Sequence, residues 1–480
     1  MKMATELPAK LLTPDKVETR IGTLEFVDGF PTKKTVQLVY DNLDFIRGVE
    51  AFLNAIPGAS LVAARQGASD VGITRNGIVG ITESLMDSKS LFLTPNTESI
   101  YAITWLDLKD GPMVVESAPN TLGMVNDFFF RYVADLGNAG PDKGKGGKYL
   151  FLPPGYEGET PDGYFTYKSP TYGNVLFWRA FLVNGDPKSG VASLKKHTRI
   201  YPLARPQDRD KISFINTSGL VYNTIHANDF TFYEEVNTLI QEEPAEAFNP
   251  ELLGLLASVG IEKGKPFNPD ARMQKILIDA VAVGNATARA ITFHQEGNEI
   301  ASEGFLYEDT AWFIPFVGGN HEFIRNGARL LDARTMFHYP ATAITPAMAI
   351  KMVGVGSQYG IAAMDADKNY LDGSKDYKLT LPKDIPAKDF WSLVVYDPQT
   401  RSLLQTDQRF PSLNSERNQV VANADGSTDI YFGPEAPAGK EENWIQTVPG
   451  KGWFLILRLY GPLESWFDQT WRPAEIELVK

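Results

Sequence analysis

Ile100-Tyr-Ala-Ile-Thr-Trp-Leu106 is a short apolar run, rich in β-branched and aromatic residues and bounded by Asn and Asp turn formers. Such a run reads as a strand. The same texture recurs in Met113-Val-Val-Glu116, Phe128 to Val133 and Val175-Leu-Phe-Trp-Arg-Ala-Phe-Leu-Val183, with Pro, Gly, Asn and Asp between them. Short strands separated by regular turn signals predict a β-sandwich or jelly roll from about 90 to 225. The pattern returns beyond about 340 in Tyr377 to Leu381, Phe390-Trp-Ser-Leu-Val-Val-Tyr396, Thr428 to Phe432 and Gly452-Trp-Phe-Leu-Ile-Leu-Arg-Leu-Tyr460, which predicts a second sandwich.

Helical periodicity occupies the rest. Val36, Leu38, Val39, Leu43, Ile46, Val49, Phe52 and Leu53 follow the helical repeat, and Pro57-Gly58 is expected to stop that helix, with a second short helical segment before Gly72. Between the sandwiches, Asn228-Asp229, Asn249-Pro250 and Asp270 are expected to start three helices, ending near Gln241, Gly260 and Ala290. The expected organisation is a helical segment over 1–60, a β-sandwich over 61–226, a helical connector over 227–339 and a second β-sandwich over 340–480. The fold class is mainly β with α, built on two antiparallel jelly-roll-like sandwiches.

Composition narrows the function. The 480 residues carry 43% hydrophobic and 22% charged side chains, typical of a globular protein too long for one ordinary core. With 46 Lys and Arg against 59 Asp and Glu, the formal charge of −13 opposes nucleic acid as a partner. No cysteine is present, so disulfides, thiolate metal sites and Cys nucleophiles are excluded. The N-terminus lacks the apolar core of a signal peptide and no run of about 18 apolar residues occurs. Membrane insertion is therefore not expected, and the chain as it stands reads as cytoplasmic, or as periplasmic or secreted if a signal has been removed. Aromatic strands and exposed sheet edges point to a homo-oligomer.

The chemistry-bearing stretch is Gly140-Pro-Asp-Lys-Gly-Lys-Gly-Gly-Lys-Tyr149, with four glycines and three lysines, running into Leu150-Phe-Leu-Pro-Pro-Gly-Tyr156. It reads as a mobile basic loop anchored on a sheet edge, in which Lys143, Lys145 and Lys148 offer charge-assisted hydrogen bonds to an anion. It is not a P-loop, because neither Gly-Lys pair has a glycine five positions earlier and no Ser or Thr follows. Glu98, Asp127 and Asp142 are candidate catalytic carboxylates, since two such groups set about 5 to 10 Å apart run glycoside hydrolysis. Asp127 precedes Phe128-Phe-Phe130, where burial would demand a cationic partner such as Arg131 or Arg179. Asn96, Tyr101, Tyr149 and Arg179 suit a site that stacks rings and reads hydroxyls. Arg458-Leu-Tyr460 and Asn443-Trp444 form a similar set in the second domain, where packing is the favoured role. Asp365 to Asp372 departs from a calcium loop at its sixth and twelfth positions, Gly354 to Gly360 departs from a dinucleotide fingerprint, and the five histidines never stand at two-ligand spacing. No cofactor is expected, and a bound divalent cation is left open.

Leu93-Thr-Pro-Asn-Thr-Glu-Ser-Ile-Tyr101, Gly140 to Tyr156, Asn228 to Glu234, Gly264 to Asp270, Phe390 to Asp397 and Asn443 through Arg458-Leu-Tyr-Gly-Pro462 together resemble a bacterial family with two paired domains of unknown function, DUF1254 followed by DUF1214. The resemblance implies a jelly-roll-like sandwich for each domain, the second similar to folds of glycan-processing amidases, and it implies no established reaction. The family's first motif usually reads Thr-Pro-Asn-Asn-Asp-Thr, so Glu98 stands where the family has Asp. From these readings the expected function is a hydrolase, of glycosidase or amidase type, on a polar, carbohydrate-containing substrate. The alternative is a non-catalytic glycan-binding or assembly protein.

Overall fold

A computed structural model describes residues 4–479. The first strands, β1 (Lys16–Thr19), β2 (Gly22–Val27) and β3 (Phe30–Pro31), form a small sheet ahead of a long helix, α1 (Lys33–Asp70). Then come β4 (Ile78–Ile81), β5 (Ile100–Asp107), β6 (Met113–Ser117), β7 (Thr121–Asp127), β8 (Tyr132–Gly137), β9 (Gly147–Leu152), β10 (Phe165–Lys168), β11 (Gly173–Ala180), α2 (Lys188–His197), β12 (Arg199–Pro202) and β13 (Ser213–Asn216). A mostly helical stretch follows: α3 (Thr231–Glu242), α4 (Pro250–Ser258), α5 (Ala271–Phe293), α6 (Glu299–Ser302), β14 (Trp312–Phe313), β15 (Ile324–Arg325), β16 (Ala328–Arg329), α7 (Leu331–His338) and α8 (Pro346–Ala349). The chain closes with β17 (Ser357–Ala362), β18 (Tyr377–Leu381), β19 (Ala387–Tyr396), β20 (Ser412–Asn414), β21 (Thr428–Gly433), β22 (Trp444–Gln446), β23 (Phe454–Pro462), α9 (Glu464–Phe467) and β24 (Glu477–Leu478).

Each β region is a sandwich. In the first, the sheet β13-β4-β5-β11-β7-β8 covers the sheet β10-β9-β6-β12, with Ala102, Leu106, Val115, Phe151 and Trp178 in the core between them. In the second, β14-β17-β23-β19-β20 covers β22-β21-β18-β24 around Leu379, Leu393, Phe432, Trp453 and Leu457. Pairing is antiparallel apart from three edge pairs, β13 with β4, β10 with β9 and β22 with β21, which are parallel.

The larger sheet of each sandwich is buried on both faces. Along β5, Ala102 and Leu106 enter the sandwich core while Tyr101, Ile103 and Trp105 enter a different one. Along β23, Leu455 and Leu457 face the sandwich, and Phe454 and Ile456 face away from it. The outward sets of both sheets meet α1, α3, α4 and α5 in one continuous third core. Strands buried on both sides lose the apolar-polar alternation of a half-exposed sheet. The two sandwiches and the helices are thus layers around a shared interior.

One expectation needs correction, and two gain detail. α1 does not end before Pro57; it runs for 38 residues to Asp70, and the short segment expected before Gly72 is its last turns. A proline inside a helix costs about 3 kcal/mol. Here Phe52, Ile56, Leu61 and their neighbours are fully buried, and each large apolar side chain so buried contributes roughly 1.5–3 kcal/mol. Tertiary burial therefore outweighs the local stop signal, and the boundary expected at 60 falls inside the helix. Second, the helical connector over 227–339 packs back on the N-terminal helix as well as on the sandwiches. α3, α4 and α5 pack on α1, and β14, within the same stretch, is an edge strand of the second sandwich. The contact of α1 with α5 is close because Gly48 lies where an added Cβ would stand 2.7 Å from that of Ala280, and Gly284 lies against Phe52. α5 is long and apolar enough to cross a membrane, yet Leu277, Val281, Ala288 and Ile291 are buried in the shared core. Third, the antiparallel sheets carry parallel pairs at their edges. Two of the three caps read from sequence form: Asn249 accepts from Glu251 N at 2.8 Å and Asp270 from Met273 N at 2.8 Å, whereas α3 starts after Phe230, which caps nothing, with Asp229 accepting from Thr231 N at 2.9 Å.

Candidate functional site

The Thr94 to Ser99 loop, which leads into β5, is where the two sandwiches touch most polar atoms. Asn96 is fully buried, and its Oδ1 accepts from Glu98 N, Ser99 N and Ser99 Oγ at 3.2, 3.1 and 2.8 Å. That ring of contacts is an Asx turn, the local structure Asn supports better than most residues. Asn96 N also donates to Tyr101 OH at 2.7 Å and Thr94 Oγ1 to Pro340 O at 2.7 Å, and further partners come from the second sandwich. Arg458 Nη2 donates to Thr94 O at 2.8 Å, Tyr396 OH to Pro95 O at 2.7 Å, Asn96 Nδ2 to Tyr460 OH at 3.1 Å, and Arg417 Nη1 to Thr97 O at 3.0 Å. Segments more than 300 residues apart in the chain thereby become one constellation.

Beside this loop the outward faces of the two large sheets oppose each other and leave a largely apolar cavity of about 100 Å³. Met124, Phe177, Phe316, Met348, Ile361 and Phe454 supply apolar walls. Two arginines break that lining. Arg179 on β11 is directly opposite Tyr101 on β5, and Arg458 on β23 is directly opposite Tyr359 on β17. Each sheet thus presents a cross-strand Arg–Tyr pair to the same cavity. The Arg179 Nε and Arg458 Nε atoms are buried without a hydrogen-bond partner, and among the described residues neither guanidinium has a carboxylate within 4 Å. Burial works against the Arg458 charge while Tyr396, Tyr460, Tyr359 and Tyr101 act in its favour, and its pKa stands above the ordinary arginine value, so it is a cation at neutral pH. Burial likewise raises Tyr101 and Tyr460, so both remain phenols at neutral pH.

Arg179 also borders a second space of about 600 Å³, a vestibule with Glu98, Phe390, Lys388 and Tyr460 on its wall. Glu98 is 3% exposed; its Oε1 accepts from Thr97 Oγ1 at 2.6 Å and its Oε2 from Tyr460 OH at 3.3 Å. A carboxylate held this way, beside an arginine without a carboxylate partner, can orient a polar group or accept a proton from it.

Asn96, Glu98, Tyr101 and Arg179, all expected site residues, converge here. The others do not. Asp127 is at the opposite end of β7, paired with Asn174, whereas the Ile100 end of β5 is level with Ala180 and Thr121. Six strand residues separate those ends, about 20 Å. Asp127 has no exposed surface: burial pushes its pKa up, opposed by Arg131, whose Nε lies 2.6 Å from Oδ2, and by Phe129 N and Arg131 N, both 2.9 Å from Oδ1. It holds the β7–β8 turn rather than a substrate. Asp142 is equally committed, accepting from Gly137 N, Tyr149 OH and Gly146 N at 2.8, 2.5 and 3.0 Å. It ties Gly140 to Lys148 into successive turns, so that stretch is not the open mobile loop expected, and Tyr149 is a core residue of the first sandwich. Lys143, Lys145 and Lys148 are exposed, and Lys148 pairs in register with Glu116 on the outer face, since alternate residues Tyr149 and Phe151 enter the core. The paired carboxylates of a glycosidase are not assembled from Glu98, Asp127 and Asp142.

Arg458 and Tyr460 belong to the site, not to packing alone, and Tyr359 and Tyr396 join them. One signal for them lies in the sequence: Arg458 interrupts Phe454-Leu-Ile-Leu as Arg179 interrupts Val175-Leu-Phe-Trp, a charge in mid-strand of a fully apolar run. Asn443 is structural, bonded to Val421 N and O and to Asp429 O. Asp365 closes a turn on Asp367 N and Asn369 N, and no group of three or more metal-ligating side chains occurs among the described residues.

Two family profiles match the chain, both described as protein of unknown function: DUF1254 over residues 78–202 and DUF1214 over residues 356–464. The cavity lies between the matched regions, with Arg179 in the first and Arg458 in the second. No curated protein matches. Among solved structures, the VPA0106 protein from Vibrio parahaemolyticus is 18% identical with a TM-score of 0.52, covering 90% of this chain and 100% of its own, a likeness of fold alone. An uncharacterized protein from Burkholderia cenocepacia is 11% identical with a TM-score of 0.40, covering 92% and 96%.

Proposed function

The chain belongs to the family in which a DUF1254 domain precedes a DUF1214 domain, and from that premise we propose that the cavity between the two domains binds a small ligand with an apolar body and one carboxylate. The observation that carries the reading is the pair of arginines without carboxylate partners, Arg179 and Arg458, in an otherwise apolar lining. A buried guanidinium with unmade hydrogen bonds is costly, and a ligand carboxylate supplies both the missing charge and a bidentate acceptor. Apolar cavities of ~150 Å³ accept benzene, so about 100 Å³ suits a body smaller than a ring, such as a short alkyl chain. The apolar walls favour such a body over a glycan.

A second reading is turnover of a polar substrate by a hydrolase. Glu98 supports it, because its carboxylate and Arg179 border one vestibule, where the first could serve as base and the second could stabilise a developing oxyanion.

Isothermal calorimetry with propionate, butyrate and butanol tests the binding reading. Saturable binding of the acids but not the alcohol is expected, with affinity falling about tenfold or more in Arg179→Gln, the loss of one charge-assisted contact. Equal binding of acid and alcohol, or none of either, overturns it. Hydrolysis of esters or glycosides of such acids that disappears in Glu98→Gln would move the assignment to the second reading.

A further inference from the structure

On the other side of the helical layer, the β7–β8 turn, the start of α4 and the loop before α7 enclose a separate cavity of about 430 Å³. Phe129, Phe248, Leu252 and Leu255 form an apolar wall, and three arginines from distant parts of the chain, Arg131, Arg329 and Arg334, reach its lining. Their hydrogen bonding is incomplete. Arg131 gives Nε to Asp127 at 2.6 Å and Nη1 to Ala247 O at 2.6 Å, leaving Nη2 buried without a partner. Arg334 gives Nη2 to Asn54 Oδ1 at 2.7 Å, leaving Nε buried without one. Arg329, exposed at the mouth, donates only to the Glu322 carbonyl. Among the described residues neither Arg329 nor Arg334 has a carboxylate within 4 Å; Glu251 and Glu322, the acidic side chains on the lining, are both exposed.

Of the remaining polar groups, Glu322 supports the Arg329 charge, from an exposed position. His338 and His321 also face the cavity; burial lowers both pKa values, His338 to about 3, so His338 is a neutral ring that donates Nδ1–H to Arg334 O at 2.9 Å. The arginines repel one another. Burial first, and then the charge of Arg329, lowers Arg334 to about 10; Arg329, though its side chain reaches solvent, is lowered by the desolvation its neighbours impose and, less, by Arg131, against the favourable charge of Glu322. In a chain of net charge −13, a pocket that gathers three guanidinium groups and pairs one of them is under electrostatic tension that an anion would relieve. Phe130, on the same turn, holds a left-handed φ of +63°, a conformation that costs of order 1–3 kcal/mol in a bulky residue and persists where the surroundings enforce it.

We infer that this cavity is a second binding site, specific for an organic phosphomonoester whose substituent is a ring or short apolar chain. Guanidinium groups converging from the β7–β8 turn, β16 and α7 match the three oxygens of a dianion better than the two of a carboxylate. The aromatic wall then takes the substituent.

Calorimetric titration of the full chain with phenyl phosphate, inorganic phosphate, benzoate and phenol tests this. One phenyl phosphate per chain is expected, bound more tightly than inorganic phosphate or phenol, with affinity about tenfold or more weaker in Arg329→Gln, an exposed position whose exchange spares the fold. Arg179→Gln is expected to leave that affinity unchanged, whatever it does to carboxylate binding between the domains. No saturable binding at millimolar concentration, or affinity unaltered in Arg329→Gln, overturns the inference. Loss of binding in Arg179→Gln alone would assign the phosphate to the inter-domain cavity and overturn it as well.

Discussion

Asp135 illustrates how one side chain can trade stability for position. Burial pushes its pKa from 3.8 up to about 6, with the Thr345 and Tyr132 hydroxyls acting in the opposite direction. Thr345 Oγ1 donates to it at 2.7 Å and also caps α8, so the contact links the first sandwich to the segment before the second. Between pH 3.8 and about 6 the folded state binds the proton more tightly than the unfolded state, and stability falls as pH rises through that window. Asp135→Asn is therefore expected to match the parent below pH 3.8 and to melt at a higher temperature above pH 6, as thermal denaturation across that range would read. An equal difference at both ends would remove the titration as its cause. Residues also differ in how openly the sequence displays their roles. Asn96, Glu98 and Tyr101 were legible because they share one short motif. Asp127 was not, because an acid ahead of Phe128-Phe-Phe130 looks alike whether it caps a turn or serves a substrate.

At the scale of elements, α1 is set by contacts the chain does not announce locally. Pro57 and Gly58 are stop signals in isolation; in the fold, Gly58 is small because Leu239 and Phe129 press on it. Gly48→Ala should raise helix propensity by ~1 kcal/mol, yet its Cβ would stand 2.7 Å from that of Ala280, and overpacking of this kind costs typically 1–3 kcal/mol. A net loss of stability is expected on urea denaturation, restored when Ala280→Gly is added; a more stable single variant would show that the helices can move apart. The strands were easier. β5, β11 and β23 stand out as apolar runs, and near-continuous apolarity of that kind accompanies burial on two faces. What covered the second face was not legible, since helices near both ends of the first half and the opposing sheet had to be brought together by topology.

For the whole molecule, the shared third core predicts one cooperative unit. The larger sheets of both sandwiches and α1, α3 and α5 bury their side chains in it together, so no layer keeps its interior if another unfolds. Scanning calorimetry is expected to show a single transition whose van't Hoff and calorimetric enthalpies agree, despite two matched domains; two resolved transitions would mean that each sandwich is stable alone. Ligands at the inter-domain cavity would raise that single transition as a unit.

The clasp of Thr94 to Thr97 by Tyr396, Arg417, Arg458 and Tyr460 also bears on heredity. A recombination breakpoint anywhere between residues 97 and 396 would join a loop from one ancestor to the hydroxyls and guanidinium groups of another. Exchange of either half between divergent relatives would have to carry a matching partner for each of those contacts, and the two halves are expected to descend as a pair.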